Sequence, residues 1–333
     1  MKSSYKSTNT VLMALFSLAF IISSPVHAGT WVSGQNSGIY GIRNYKVYLP
    51  AELPNEKKPA LVVMLHGCEQ SAEDFAKGSR ITNWADKEKF IVLLPEQNIA
   101  YNPFKCWNWV LPANNTRAGE PKVIVEMVDE VLKNYNADST RVYAAGMSAG
   151  ASMASILGNC FPEKFRALGS HDGSQYLATY TGLDFAEVVL NGASVPATVA
   201  ARAGYNCSIY SGIDRPSKMP IIIFHGMNSP LMSPVHAFQI ENEFMAFNDL
   251  LDDGSKNNSV IKSKNVIDVP DSETYGYNLY TTTNQNDEVI IERYMINTLG
   301  HNWSGGVAGL LYNDPKGPDA TGLIINFFKR FGL

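Results

Sequence analysis

The chain has 333 residues, of which 45% are hydrophobic and 17% are charged, an ordinary balance for a globular protein. Lys and Arg number 27 against 31 Asp and Glu, and neither sign forms a long run. This balance excludes the basic stripe of a nucleic-acid-binding protein and the acidic tail of a disordered one. We therefore expect no nucleic-acid partner.

Residues 1–28 have the pattern of a secretion signal. Lys2 and Lys6 precede an apolar stretch over residues 11–22, and small residues up to Ala28 suit a cleavage site. The apolar stretch is shorter than the roughly 20 residues that span a bilayer, which disfavours the alternative of a membrane anchor. The pattern predicts secretion, extracellular or periplasmic, of a chain that begins at Gly29 and has no membrane span after cleavage.

Apolar runs of strand length alternate with helical patterns through the rest of the chain. The predicted strands cover residues 45–49, 60–65, 90–94, 141–145, 221–224 and 290–295, and the predicted helices cover residues 76–87, 121–135, 151–157 and 320–331. This alternation is typical of an α/β fold with a mainly parallel sheet and helices on both faces. Residues 173–218 show no firm period and are expected to form a loop or a small cap. Because no repeat or linker divides residues 29–333, we expect a single catalytic domain there.

The sequence contains four cysteines, an even number that favours two disulfides in an oxidising compartment. Three pairings are possible. We favour Cys68–Cys106 and Cys160–Cys207, because each pair would join neighbouring loops. A zinc site is disfavoured, since no close Cys or His pair of the kind that structural zinc sites use is present. We expect neither a metal nor a cofactor.

The motif Gly146-Met147-Ser148-Ala149-Gly150 lies between a predicted strand and a predicted helix. A nucleophilic serine stands on a tight strand-to-helix turn, where the backbones approach too closely for any residue but glycine on either side. The motif therefore predicts that Ser148 is a catalytic nucleophile. An ordinary glycine-bracketed turn is the alternative.

A serine nucleophile needs a base and donors for the oxyanion. His301 follows the last predicted strand, where a base is expected. The backbone N–H of Ala149, directly after the nucleophile, is one expected donor. The N–H of Cys68, in the loop after strand 60–65, is the other.

The group that orients the base is harder to find. The loop after strand 221–224 reads His-Gly-Met-Asn-Ser-Pro-Leu-Met and contains no carboxylate before Glu241. Asn228 or Ser229 could replace the acid, another loop could supply it, and Asp214 is a less suitable stand-in because it precedes the strand. We leave this residue unassigned.

Three tryptophans follow predicted strands, at the sheet edge where ligands bind. Trp107 and Trp109 lie in one loop and Trp303 lies two residues after His301. Such side chains either bind an apolar substrate or anchor the loops by packing.

These motifs together resemble the poly(3-hydroxybutyrate) depolymerase esterase family. The resemblance rests on LHGCEQ (65–70), CWNWV (106–110), GMSAG (146–150), LGHNWSGG (299–306) and GPDAT (317–321), in this order. It implies an α/β-hydrolase fold and a secreted serine esterase for short-chain hydroxyalkanoate polyesters, their oligomers or small esters. It also implies Ser148 as nucleophile, His301 as base and the Cys68 amide in the oxyanion loop.

One departure from the family pattern leaves alternatives open. Members of the family typically carry an aspartate three residues after the His-Gly pair, where this chain has Ser229. A weakly active or inactive protein that uses the fold for binding is one alternative. An esterase for feruloyl or acetyl groups on carbohydrate is another, because the same site accepts other acyl groups when its loops change.

Overall fold

The computed structural model describes Met1 and residues 29–53, 57–209 and 214–333. Apart from Met1, the predicted secretion signal lies outside the described residues. Within them, no helix is both long and apolar enough to cross a membrane.

Ten strands of the described chain form one sheet, in the order β1-β2-β4-β3-β5-β6-β7-β10-β9-β8. They are β1 Thr30–Gly38, β2 Gly41–Leu49, β3 Leu61–Leu65, β4 Ile91–Glu96, β5 Val142–Met147, β6 Ala167–His171, β7 Ile221–Gly226, β8 Ile261–Val269, β9 Tyr277–Asn284 and β10 Val289–Ile296. A short parallel pair, β11 Trp303–Ser304 and β12 Asn313–Asp314, lies beyond it.

The middle of the sheet is parallel, from β4 through β3, β5, β6 and β7 to β10. Antiparallel strands extend it on both sides, β2 and β1 at one edge and β9 and β8 at the other. Because parallel strands end at the same edge, the loops that follow β3, β5, β6, β7 and β10 come together there.

Helices cover both faces of the sheet. They are α1 Ala72–Ser79, α2 Ile81–Glu88, α3 Gly119–Asn134, α4 Ala149–Cys160, α5 Phe185–Asn191, α6 Ala197–Ser208, α7 Val235–Asp253 and α8 Ala320–Lys329. Alternate residues of the central strands face opposite sides, so that Leu61 and Val63 belong to the core cluster that includes α3, α4, α6 and α7, whereas Val62 and Met64 belong to the cluster that includes α1, α2 and α8. The predicted α/β fold with a mainly parallel sheet is confirmed.

Several elements differ from the sequence expectation. The predicted helix 76–87 is divided into α1 and α2 at Arg80, whose φ of 56° is left-handed. Strands β1, β6, β8 and β9 were not predicted. Residues 173–218, expected to form a loop or small cap, contain α5 and α6. The single domain over residues 29–333 remains a prediction, which the continuous sheet supports.

Both expected disulfides are present. Cys160, at the end of α4, is bonded to Cys207 in α6. Cys68 is bonded to Cys106, so that the loop after β3 is joined to the loop after β4. The described residues contain no free cysteine.

Candidate active site

Ser148 stands on a sharp turn between β5 and α4. Its backbone has φ 56° and ψ −121°, a conformation that costs energy for any residue other than glycine. A Cβ at Gly150 would lie 2.1 Å from the carbonyl oxygen of Leu65, and one at Gly146 would lie 2.5 Å from Gly150. Both glycines are therefore required by close backbone contact, as the motif predicts.

A cavity of about 430 Å³ opens over this turn at the carboxyl edge of the parallel strands. Its lining includes four groups that the sequence predicts for catalysis: Ser148, His301, Cys68 and Ala149. Trp107 and Trp109 line it as well, although both are largely buried. The structure thus brings the predicted nucleophile, base and oxyanion donors to one cavity. Their catalytic roles remain predictions.

His301 follows β10 and is almost fully buried. Its Nδ1 lies 3.2 Å from Oγ of Ser229, which also accepts a hydrogen bond from the backbone N–H of Met232 at 3.3 Å. Burial lowers the pKa of His301, the nearby Asp172 raises it, and the net shift is downward. The imidazole is therefore neutral at pH 7 and able to accept a proton.

The two predicted orienting residues differ in position. Asn228 is exposed and donates its backbone N–H to Leu299, whereas the side chain of Ser229 contacts the imidazole of His301. Asp214 is exposed and precedes β7. Of these three residues, only Ser229 contacts His301.

Sequence reasoning gave no role to Asp172, the first residue after β6. This carboxylate is fully buried, and its Oδ2 lies 3.7 Å from Nδ1 of His301 and 3.3 Å from Nδ1 of His171. Its Oδ1 accepts the backbone N–H of Gly226 at 3.0 Å and lies 3.3 Å from Nε2 of His225. Burial alone would raise the pKa of Asp172, but the surrounding histidines hold it at about 2. The group is therefore ionised.

The loop that carries the Cys68 amide is held from several sides. The N–H of Gly67 donates to Oε1 of Gln70 at 2.9 Å, and the N–H of Glu69 donates to the carbonyl of Phe104 at 2.7 Å. Together with the Cys68–Cys106 disulfide, these bonds fix the loop before any ester enters. Fixed donors are what oxyanion stabilisation requires.

The interpretation of Trp303 as a substrate-binding residue is wrong. Its ring is 1% exposed and stacks on His171 at 5.0 Å, and its Nε1 donates to the hydroxyl of Thr321 at 3.0 Å. It is not part of the cavity lining. A two-residue separation from His301 indicated proximity, but His301 precedes β11, and the Trp303 ring packs into the core between Phe75 and His171.

The chain is similar in sequence to known esterases. The family described as Esterase PHB depolymerase matches residues 43–265. Poly(3-hydroxyalkanoate) depolymerase C of Paucimonas lemoignei is 29% identical over 90% of this chain and 68% of its own. Feruloyl esterase B of Neurospora crassa is 35% identical over 43% of this chain and 47% of its own, so this chain spans about half the length of that relative.

A solved structure supports the fold assignment. The acetyl xylan esterase from Aspergillus awamori superposes with a TM-score of 0.65, covering 90% of this chain and 100% of that one, at 19% identity. At that identity the likeness shows the α/β-hydrolase fold alone. The family match extends over two thirds of the chain and includes the nucleophile turn and both disulfides, whereas His301 lies beyond its end. The chain therefore belongs to the Esterase PHB depolymerase family of serine-type carboxylic-ester hydrolases.

Proposed function

We propose that this esterase hydrolyses short-chain hydroxyalkanoate esters or oligomers through an acyl-enzyme formed on Ser148. The observation that carries the proposal is that Ser148, on its strained turn, shares one cavity with His301 and with the amides of Cys68 and Ala149. This combination provides a nucleophile, a base and two oxyanion donors.

The reaction proceeds in two matched halves. Nε2 of His301 removes the hydroxyl proton of Ser148 while Oγ attacks the ester carbonyl, and the oxyanion accepts hydrogen bonds from the Cys68 and Ala149 amides. The intermediate then expels the alcohol, which takes the proton from His301. A water molecule repeats the sequence on the acyl-enzyme, releasing the acid and restoring Ser148. A neutral His301 is needed at the start, which its lowered pKa favours.

The character of the cavity favours an uncharged, compact acyl group. Most of its wall is apolar, with Trp107, Trp109, Phe185 and Leu231 among the lining side chains. Among the described lining residues, Glu69 is the one carboxylate and none is Lys or Arg. The similarity to a poly(3-hydroxyalkanoate) depolymerase over 90% of the chain favours hydroxyalkanoate as the acyl group.

A second candidate substrate is an aromatic or acetyl ester of a carbohydrate. The rings of Trp109 and Phe185 pack against each other at 6.0 Å and form an aromatic part of the cavity wall, a surface that suits contact with a planar aromatic acyl group. A relative is a feruloyl esterase B. Comparing kcat/KM for 3-hydroxybutyrate oligomers, acetylated xylan and methyl ferulate separates the candidates. The first proposal requires kcat/KM to be highest for the 3-hydroxybutyrate oligomers.

The test of the esterase mechanism is hydrolysis of p-nitrophenyl butyrate by residues 29–333 and by Ser148→Ala. We expect turnover in the parent and a loss of at least about 10³-fold in the variant, because the variant lacks the hydroxyl on which the acyl-enzyme forms. Ser155→Ala is the matched control, since this serine is buried in α4 and its hydroxyl donates to the carbonyl of Ala151 in the same helix. It should retain activity within about twofold.

Two results contradict the proposal. Full activity in Ser148→Ala assigns the nucleophile elsewhere. No turnover of any ester by the parent supports the alternative of a protein that uses this fold for binding only.

We further propose that residues 1–28 direct export and are removed. The two disulfides, which form in oxidising compartments, support this proposal.

A further inference from the structure

The serine mechanism places a positive charge on His301 that the side chain at position 229 does not balance. The hydroxyl of Ser229 contacts Nδ1 at 3.2 Å but carries no charge. An imidazolium that is buried, as this one is, needs a compensating anion when it forms. The need for this anion rests on the proposed serine mechanism.

The neighbouring strand supplies a carboxylate at the same level of the sheet. Strands β6 and β7 are paired in parallel, with His171 opposite Phe224. The N–H of Asp172 donates to the carbonyl of Phe224 at 2.9 Å, and its Oδ1 accepts the N–H of Gly226. Asp172 is thereby fixed beside the loop that holds Ser229.

The surroundings of Asp172 leave one oxygen facing the base. Ser304 donates its N–H to Nε2 of His171, so the proton of that ring is on Nδ1, which faces Oδ2 of Asp172. Nε2 of His225 lies 3.0 Å from the carbonyl of Met232 and therefore carries the proton of its ring. Oδ2 makes no well-formed hydrogen bond among the described residues and lies 3.7 Å from Nδ1 of His301.

The charges around Asp172 also support a role beside His301. The groups that stabilise the ionised form of Asp172 are the imidazoles of His171 on β6, His225 on β7 and His301 after β10. None of these is a permanent cation, and a buried carboxylate without one is costly. The cost is offset when His301 becomes protonated during the reaction.

We propose that Asp172 replaces the acid that position 229 lacks, so that its Oδ2 orients the Nδ1–H of His301 and stabilises the imidazolium, while Ser229 completes the contact to Nδ1. No proton passes to Asp172. The proton from Ser148 stays on Nε2 of His301 until the leaving alcohol takes it. Asp172 is a positioning residue, since it acts through His301.

The first test is Asp172→Asn, assayed as kcat and KM across pH with p-nitrophenyl butyrate. We expect kcat to fall roughly 10²–10⁴-fold, with a much smaller change in KM, because the imidazolium loses its counter-charge. The negative charge of Asp172 raises the pKa of His301, so its removal should shift the acid limb of kcat/KM to lower pH. A purely structural defect does not move that limb.

Asp249→Asn is the matched control. This aspartate is also buried, and it accepts the backbone N–H groups of Asn258 and Val260, far along the chain from Ser148. It should lower the thermal unfolding midpoint without changing the acid limb or kcat by more than about twofold.

The second test is rescue through position 229. In the Asp172→Asn background, Ser229→Asp returns a carboxylate to the side of Nδ1, and kcat should recover at least about tenfold. Ser229→Asp alone should give no gain, since it places a second anion beside Asp172.

The proposal is overturned if Asp172→Asn keeps its kcat and acid limb, or if kcat falls with neither a shift of the limb nor a rescue. Failure of the serine mechanism is a separate result, because it appears as activity in Ser148→Ala. Where Asp172→Asn folds poorly, the Asp172→Asn/Ser229→Asp double variant is the deciding test. Activity in this double variant supports the proposal. A double variant that folds but has no activity overturns it.

Discussion

His236 shows how burial of one ionisable side chain makes the fold sensitive to acid. It lies in α7, with Nε2 donating to the carbonyl of Val188 at 2.8 Å and Nδ1 3.0 Å from Oγ of Ser174. Burial is the main cause that lowers its pKa from 6.5 to about 4, and the neighbouring imidazole of His225 acts in the same direction. The folded state therefore binds this proton less readily than the unfolded state, and stability is lost as pH falls from 6.5 through 4.

Removing this titration should flatten the pH dependence of stability. In His236→Gln the amide can still donate to Val188, but it binds no proton. We expect the loss of unfolding free energy between pH 7 and pH 4 to be smaller in the variant by on the order of 3 kcal/mol, as the lowered pKa implies. Urea denaturation at a series of pH values measures this. If the unfolding free energy falls equally with pH in the two proteins, the prediction is wrong.

Single residues also show where sequence reasoning ends. Ser148 was predictable because close backbone packing forces glycine on both sides of it, which leaves a readable pattern. Asp172 was not, since β6 reads Ala-Leu-Gly-Ser-His and has no apolar run of β-branched residues. Without that strand, nothing in the sequence indicates that Asp172 stands at the edge of the sheet.

At the scale of elements, one disulfide joins two loops and the other joins two helices. Cys68–Cys106 closes 38 residues and holds the proposed oxyanion loop, whereas Cys160–Cys207 closes 47 residues and joins α4 to α6. Disulfides that close loops of these lengths stabilise the fold by similar amounts, about 4 kcal/mol each if the effect is purely one of chain entropy.

We expect the two disulfides to differ in catalysis and not in stability. Paired Cys→Ser variants of either bridge should lose a similar unfolding free energy. Only the Cys68→Ser/Cys106→Ser variant should lose kcat, by about tenfold or more, approaching the roughly 10²–10³-fold cost of a missing oxyanion donor. Chemical denaturation and ester hydrolysis measure both properties. Equal kcat in the two double variants would argue against a role of the bridge in holding Cys68.

The predictability of the strands follows their place in the sheet. Strands β3, β5 and β7 are buried on both faces and appear in the sequence as continuous apolar runs. The edge strands β1 and β8 are largely exposed and read as mixed polar sequence, for instance Ile-Lys-Ser-Lys-Asn-Val-Ile-Asp-Val in β8. Their pairing depends on a neighbouring strand and leaves no comparable signal.

For the molecule as a whole, export and disulfide formation should occur together. Expressed with its first 28 residues, the protein should appear outside the cytoplasm with Gly29 as its first residue and with no free thiols. A version without residues 2–28 should remain in the cytoplasm, keep reduced cysteines and unfold at lower temperature. Amino-terminal sequencing, thiol titration and thermal unfolding test this. An exported protein that retains its first residues would instead support a membrane anchor.

The contacts around Nδ1 of His301 have an evolutionary consequence. Side chains from the ends of two adjacent strands, Asp172 after β6 and Ser229 after β7, both lie within 4 Å of that nitrogen. During evolution, the acidic residue of such a site can therefore move from the end of one strand to the end of the other. An ancestor with both carboxylates would stay active throughout this change. A sequence pattern tied to one strand would classify the descendant as inactive while its imidazole still faces an anion.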